Sequence, residues 1–203
     1  AEAGAGRFVT LAEACQSSVV ILAAPIREYA TLISQIVPLL GSDTIVVDVA
    51  TVKAHTAQLL ATFAYTDQIR YVSTHPMFGP YSYQKKAGDI SDFRIVLAEH
   101  NLSSEESEQI VNWLSGLGFK VITMTPQEHD QQLAETLFLT HYLGQLVKEA
   151  GFVRTEIDTV SFGFLMDAME SVHNDEQLFL DVYRFHPYCE KVIKKLLQAE
   201  RFV

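Results

Sequence analysis

The chain has 203 residues, 48% of them apolar, enough for one large or two small domains with real hydrophobic cores. Fifteen basic against 25 acidic side chains give a formal net charge of -10, which repels phosphate backbones and leaves no basic stripe for nucleic acid, so the expected partner is a small molecule or a protein. No apolar run reaches the roughly 18 residues of a membrane span, and the N-terminal AEAGAG lacks a signal-peptide pattern. Cys15 and Cys189 fit neither zinc spacing nor a disulfide framework, so two buried thiols in a soluble, cytoplasmic protein are expected.

Through the first half, short β-rich runs alternate with helical stretches, the pattern of a parallel sheet covered by helices. Residues 18–24 (SVVILAA) read as a continuous apolar strand. A helix is expected over 27–40, where Tyr29, Ile33, Ile36 and Val37 recur at helical spacing and Gly41 supplies a stop. A second buried strand follows over 44–49, a helix over 52–63 and a third strand over 69–73. Strands are then expected over 93–98 and 120–124, separated by a helix with Ser103 as N-cap and an acidic first turn of Glu105 and Glu106. After Pro126 no strand-like run recurs, which divides the chain into 1–125 and 126–203. Within 127–150, Leu133, Leu137, Phe138, Leu139, Leu143, Leu146 and Val147 fall on nearly every side of a helical wheel, so this helix is expected to be buried all round. A C-terminal part of about 75 residues encloses such a helix poorly, which predicts a partner subunit.

The residues with chemistry cluster around Ser73-Thr74-His75-Pro76-Met77-Phe78-Gly79-Pro80. A residue before proline is pushed out of helical geometry, so His75 should stand at a strand end facing a cleft, where an imidazole titrating near neutrality can transfer a proton. Asp48 ends an apolar strand and reads as structural, bonded to loop N–H groups. Thr51 can cap the helix that starts near Val52, and Lys53 either touches a substrate or solvates that helix. His129 and Asp130 open the long helix, where an acidic side chain favours the positive helix end. Asp130 and His141, eleven positions apart, share a face of a regular helix. Tyr81, Tyr83, Lys85 and Lys86 are expected in a loop over the cleft. His55, His100 and His173 carry no spacing signal, and no histidine pair or cysteine set makes a metal site.

With Val46-Val47-Asp48, Ala50-Thr51-Val52-Lys53, the His75-to-Pro80 block, Glu128-His129-Asp130 and Thr140-His141 in this order, the chain resembles the prephenate and arogenate dehydrogenases of tyrosine biosynthesis from about Val19 to its end. The HPMFGP form is similar to the arogenate-type members. The resemblance implies an α/β fold, a partial Rossmann-like parallel sheet with helices followed by an all-α dimerisation domain, assembled as a homodimer. It also implies an NAD- or NADP-dependent oxidative decarboxylation, in which hydride leaves C4 of a cyclohexadienol while the ring loses carbon dioxide. His75 matches the catalytic histidine, and Thr51 stands at the serine of a D-x-x-S-x-K block that orients it. His141, Thr140, Gly79 and Lys53 match substrate-binding positions, and Ala23, Ala24 and Pro25 match the turn beside the nicotinamide ribose.

Two departures stand out. No GxGxxG turn is present to cradle pyrophosphate, and the AGAG tract of Gly4 and Gly6 follows no strand, so the first βαβ unit is expected to be absent from this chain and cofactor affinity weakened. The late helices lack the arginine that relatives often offer a substrate carboxylate, leaving Arg154 and Arg184 as candidates by default. Two alternatives remain beside the enzyme: a catalytically silent binding or dimerisation remnant, and a β-hydroxyacid dehydrogenase relative with a lysine as its acid/base group.

Overall fold

A computed structural model describes residues 6–172 and 175–202; Gly4 of the AGAG tract and His173 lie outside them. A short helix, α1 (Leu11–Ala14), precedes β1 (Val19–Leu22), α2 (Tyr29–Ile36), β2 (Ile45–Asp48), α3 (Lys53–Asp67) and β3 (Arg70–Pro76). Then come α4 (Pro80–Lys85), β4 (Arg94–His100), α5 (Ser104–Gly116) and β5 (Lys120–Thr123). Every later element is helical: α6 (Pro126–Leu133), a π-helical segment (Ala134–Phe138), α7 (Leu139–Glu149), α8 (Val160–Glu170), α9 (Glu176–Phe185) and α10 (Cys189–Glu200).

The strands lie in chain order in one five-stranded sheet. Period-two alternation sorts their side chains between two layers. Leu22, Val46 and Tyr71 pack with Tyr29, Ile33 and Ile36 of α2 and Leu60 of α3, whereas Val72 and Leu97 pack with Ile110 and Val111 of α5. A third cluster, with Ile26, Val52, Ala134, Phe138, Val182 and Cys189, joins the sheet's margin to the late helices.

The sheet is mixed, which corrects the expectation of an all-parallel one. β1, β2 and β3 run parallel, β4 runs antiparallel to β3, and β5 runs parallel to β4. Between β3 and β4 the chain turns back rather than crossing over the sheet, and the Met77 N–H closes that reversal on the Arg94 carbonyl at 2.9 Å. The reversal is not the irregular loop expected for Tyr81, Tyr83 and Lys85. Pro80 at the first turn after Gly79 starts α4, which carries all three. Opposite His75, the β3–β4 pairing slips between Ser73 and Thr74, a bulge that re-aims side chains at the strand end.

The long helix expected over 127–150 also departs from regularity. Thr125 and Glu128 form a capping box at its start, so Asp130 is not the cap of its own helix. The π turn inserts an extra residue, which swings everything downstream by about 100° and breaks the register that placed Asp130 and His141 on one face. The helix is not buried all round either, since Leu146 is 48% exposed. Cys15 and Cys189 are buried free thiols, as expected.

At the centre of the first layer Asp48 and Lys53 are both 0% exposed and ion-paired. Asp48 accepts the Ala50 N–H at 2.7 Å, the Thr56 hydroxyl at 2.7 Å and the Ser73 hydroxyl at 2.9 Å, so its role extends beyond loop N–H groups. Lys53 Nζ also donates to the Thr74 carbonyl at 2.6 Å. This pair ties β2, α3 and β3 together next to His75. Replacing Asp48 by Ala leaves a buried ammonium with no carboxylate, and urea unfolding should show a loss of about 3–5 kcal/mol.

Candidate active site

The C-terminal ends of β1 and β2 open into a cleft of about 390 Å³ whose far wall is α9. Ala23, Ala24 and Pro25 form one side, Ala50 and Thr51 another, and Gln177, Leu178, Asp181 and Val182 close it. This is where ligands sit in open α/β sheets, and the volume is that of a small-molecule site. Four of the residues singled out in the sequence are thereby gathered: Ala23, Ala24, Pro25 and Thr51. Arg27, which the sequence reading missed, lines the same cleft and is ion-paired with Asp181, joining the turn after β1 to α9. Its signal in the sequence is weak, because it lies inside an expected helix and not in the late helices that hold Arg154 and Arg184. Arg154 instead pairs with Asp167 and Glu170 on the surface, and Arg184 lies over the Phe185 ring.

His75 does not line this cleft but flanks it. Asp48 pairs with Ser73 in the parallel register, so Ala50, on the cleft wall, and His75 both stand two residues beyond the last paired position. The ring is 5% exposed. Its Nδ1 lies 2.9 Å from His129 Nε2, and His129 Nδ1 lies 2.8 Å from Asp130 Oδ1. Asp130 in turn accepts two backbone N–H groups of α3, from Lys53 at 2.9 Å and from Ala54 at 2.8 Å. No hydrogen bond among the described residues engages His75 Nε2. Burial, the Lys53 charge and the neighbouring His129 hold the His75 imidazole well below its ordinary value of 6.5, so the ring is neutral at neutral pH.

The Thr51 hydroxyl forms no hydrogen bond with His75 and does not cap α3, whose N-cap position is Val52 and carries no side-chain cap. Thr51 is half-buried on the cleft wall. Lys53 is neither solvated nor open to a substrate: its ammonium is spent on Asp48 and Thr74 inside the protein. Gly79 stands exposed at the N-cap of α4, and the Thr140 hydroxyl donates back to the Thr136 carbonyl at 3.0 Å. His141 is buried with no partner for Nδ1 among the described residues, and burial lowers its pKa against the opposing charge of Asp175. None of these three lines the cleft.

A nicotinamide ring and its ribose fit the small-residue side of the cleft, where Ala23, Ala24 and Ala50 allow close backbone approach. The described residues offer no glycine-rich strand-to-helix turn for a pyrophosphate. Gly6 precedes the short α1, and among the described strands β1 pairs on one side only, with β2.

The sequence matches the profile described as "Prephenate dehydrogenase, nucleotide-binding domain" over residues 4–123, more than half of the chain. The chain belongs to the prephenate dehydrogenase family. Among relatives of that family, it is 24% identical over 163 residues to arogenate dehydrogenase 2, chloroplastic, of Arabidopsis thaliana, covering 79% of this chain and 45% of that protein. It is 25% identical over 129 residues to the prephenate dehydrogenase of Lactococcus lactis, covering 63% of this chain and 36% of that one. The chain thus spans less than half the length of these relatives. The fold is shared with the prephenate dehydrogenase of A. aeolicus in complex with hydroxyphenyl propionate and NAD+, at a TM-score of 0.71 and 16% identity over 96% of this chain and 71% of that one. It is shared also with Synechocystis arogenate dehydrogenase, at a TM-score of 0.68 and 19% identity over 95% and 72%.

The buried histidines make stability depend on pH. Burial holds His55, His75, His141 and His186 below the 6.5 at which they titrate when unfolded. On acidification the unfolded chain therefore takes up protons that the folded chain refuses, and stability falls. The urea midpoint should be level around neutrality and decline once the pH drops below 6.5. A midpoint that stays level down to the carboxylate range would contradict this.

Proposed function

We propose that this chain supplies the catalytic half of an NAD- or NADP-dependent dehydrogenase that oxidatively decarboxylates arogenate or prephenate, with His75 as the proton acceptor. The HPMFGP sequence of residues 75–80 favours arogenate. The observation that carries the proposal is the one-sided engagement of His75 beside a cleft of ligand size: Nδ1 is bonded inward to His129, while Nε2 is left without a partner among the described residues.

The chemistry needs a base when the C4 hydroxyl becomes a carbonyl. His75 Nε2 receives that hydroxyl proton, and the depressed basicity of the ring keeps it unprotonated and ready at neutral pH. A nicotinamide cofactor bound against Ala23, Ala24 and Pro25 would supply the acceptor for the C4 hydride. Ala23, Ala24 and Pro25 set the depth to which a ring can enter, and the Thr51 hydroxyl on the cleft wall orients the substrate alcohol. We assign Gly79, Thr140 and His141, which lie outside the cleft lining, as contacts for a part of the substrate that reaches beyond it, His141 because its buried Nδ1 has no partner among the described residues. Lys53 acts instead from within, where its charge adds to burial in disfavouring a charged His75 ring.

The functional unit is proposed to be a homodimer. Ile157, Val160 and Phe164, at 89%, 76% and 71% exposure, give the helical part apolar surface for a second copy to cover. Light scattering should give twice 22.7 kDa, and a mass of one chain in dilute buffer would count against assembly.

Calorimetry with NAD and NADP tests the cofactor directly, and silence with both at millimolar concentration would defeat the enzymatic reading for this chain. His75→Asn should lower kcat by about 10²–10⁴-fold. The acid limb of the wild-type kcat profile should lie below 6.5, because the base is held below that value. Turnover retained in His75→Asn would point to a lysine-based mechanism instead.

A further inference from the structure

His129 and Asp130 lie outside the cleft, and their own helix is capped without them by Thr125 and Glu128. Both are nevertheless buried, at 2% and 0% exposure, and they link His75 to the first turn of α3. The direction of the hydrogen bonds along this link follows from its fixed end once His129 is taken to carry a single ring proton. Two α3 backbone N–H groups donate to the Asp130 carboxylate, one to each oxygen, so both oxygens are acceptors. The atom of His129 that faces Asp130 is Nδ1, so the proton of that bond sits on His129 Nδ1. A neutral imidazole carries one proton, which leaves His129 Nε2 as an acceptor. The atom of His75 that faces it is Nδ1, which must therefore be the donor. By the same count, His75 Nε2 holds a lone pair.

We infer that His129 and Asp130 are positioning residues that lock His75 in the tautomer whose Nε2 is the base, through a one-way hydrogen-bond chain anchored on the α3 N-terminus. The inference rests on the reading of His75 as the proton acceptor and explains how one of its two nitrogens is selected. The ring planes of His75 and His129 stand at 72°, an edge-on arrangement that directs a ring N–H of one at the lone pair of the other. The helix end is suited to anchor the chain, because its free N–H groups favour negative charge and cannot reverse their direction. Two further groups border Asp130 from the late helices: the His186 imidazole, whose pKa is lowered chiefly by burial, and the Cys189 thiol, which burial and the Asp130 charge push up to about 12. Neither competes for the proton on His129 Nδ1, which Asp130 already accepts.

The test is the tautomer itself, read by long-range ¹H–¹⁵N correlation on the full chain labelled at histidine, without substrate or cofactor. Both His75 and His129 should be neutral with the proton on Nδ1. His129→Phe removes the acceptor, and His75 should then shift to the Nε2–H form. His129→Gln offers a side-chain oxygen in its place, and His75 should keep its proton on Nδ1. With substrate and cofactor, His129→Phe should lower kcat by at least about tenfold with KM little changed, and His129→Gln should restore much of it; a wrong tautomer has cost about 10⁴-fold in another histidine site. Wild-type His75 carrying its proton on Nε2, a His129 imidazolium donating from both nitrogens, or a His75 tautomer unmoved in folded His129→Phe would each overturn the inference. The spectrum does not depend on turnover. A locked tautomer in a chain whose His75→Asn variant still turns over would sink the base assignment and leave the lock standing.

Discussion

Asp130 reaches from α6 to the first turn of α3, a helix whose N-cap residue, Val52, has no side chain able to accept a hydrogen bond. The carboxylate takes two of the free N–H groups there, in a buried setting where leaving them unpaired would cost about 1–3 kcal/mol each. One side chain thus satisfies the end of a helix that lies against the sheet, joins the late helices to that sheet, and fixes the neighbouring His129. The position of His75 relative to the helical part depends on this contact.

Beneath it lies a second buried charge cluster. Asp48 and Lys53 could not be taken out of water alone; they are tolerated because Ala50, Thr56, Ser73 and Thr74 complete their hydrogen bonds. The Lys53 ammonium then has an effect on the ring above it, since a fixed cation nearby disfavours an imidazolium at His75. The residue that the family resemblance placed at the substrate acts electrostatically from inside the protein. Packing and chemistry are coupled here: the ion pair that holds β2, α3 and β3 together includes the cation that adds to burial in disfavouring a charged ring at the candidate base.

The departures from regular secondary structure gather in the same region. The β3–β4 register slips beside His75, the chain reverses through α4 at the end of β3, and the π turn follows α6 within one residue of Leu133. Bulges and π turns cost local hydrogen bonding and are found where side chains must be re-aimed. Arg27 and Asp181 add a bridge across the cleft mouth, so the turn after β1 and α9 are held at a set spacing by a charge pair rather than by apolar contact alone.

The sequence by itself determined the alternation of strands and helices, the five strands to within a few residues, the change to an all-helical texture at Pro126 and the prominence of His75. These features follow from periodicity and from proline, which act over a few neighbouring residues. Tertiary structure alone decided the antiparallel course of β4, the burial of Lys53, the placement of Thr51 on a cleft wall that His75 only flanks, and the work of Asp130, which looks like a cap for its own helix and serves another. Each of these depends on which element lies beside which. A hydrogen bond between residues 77 positions apart, such as that from the Lys53 N–H to Asp130, leaves no periodic trace along the chain.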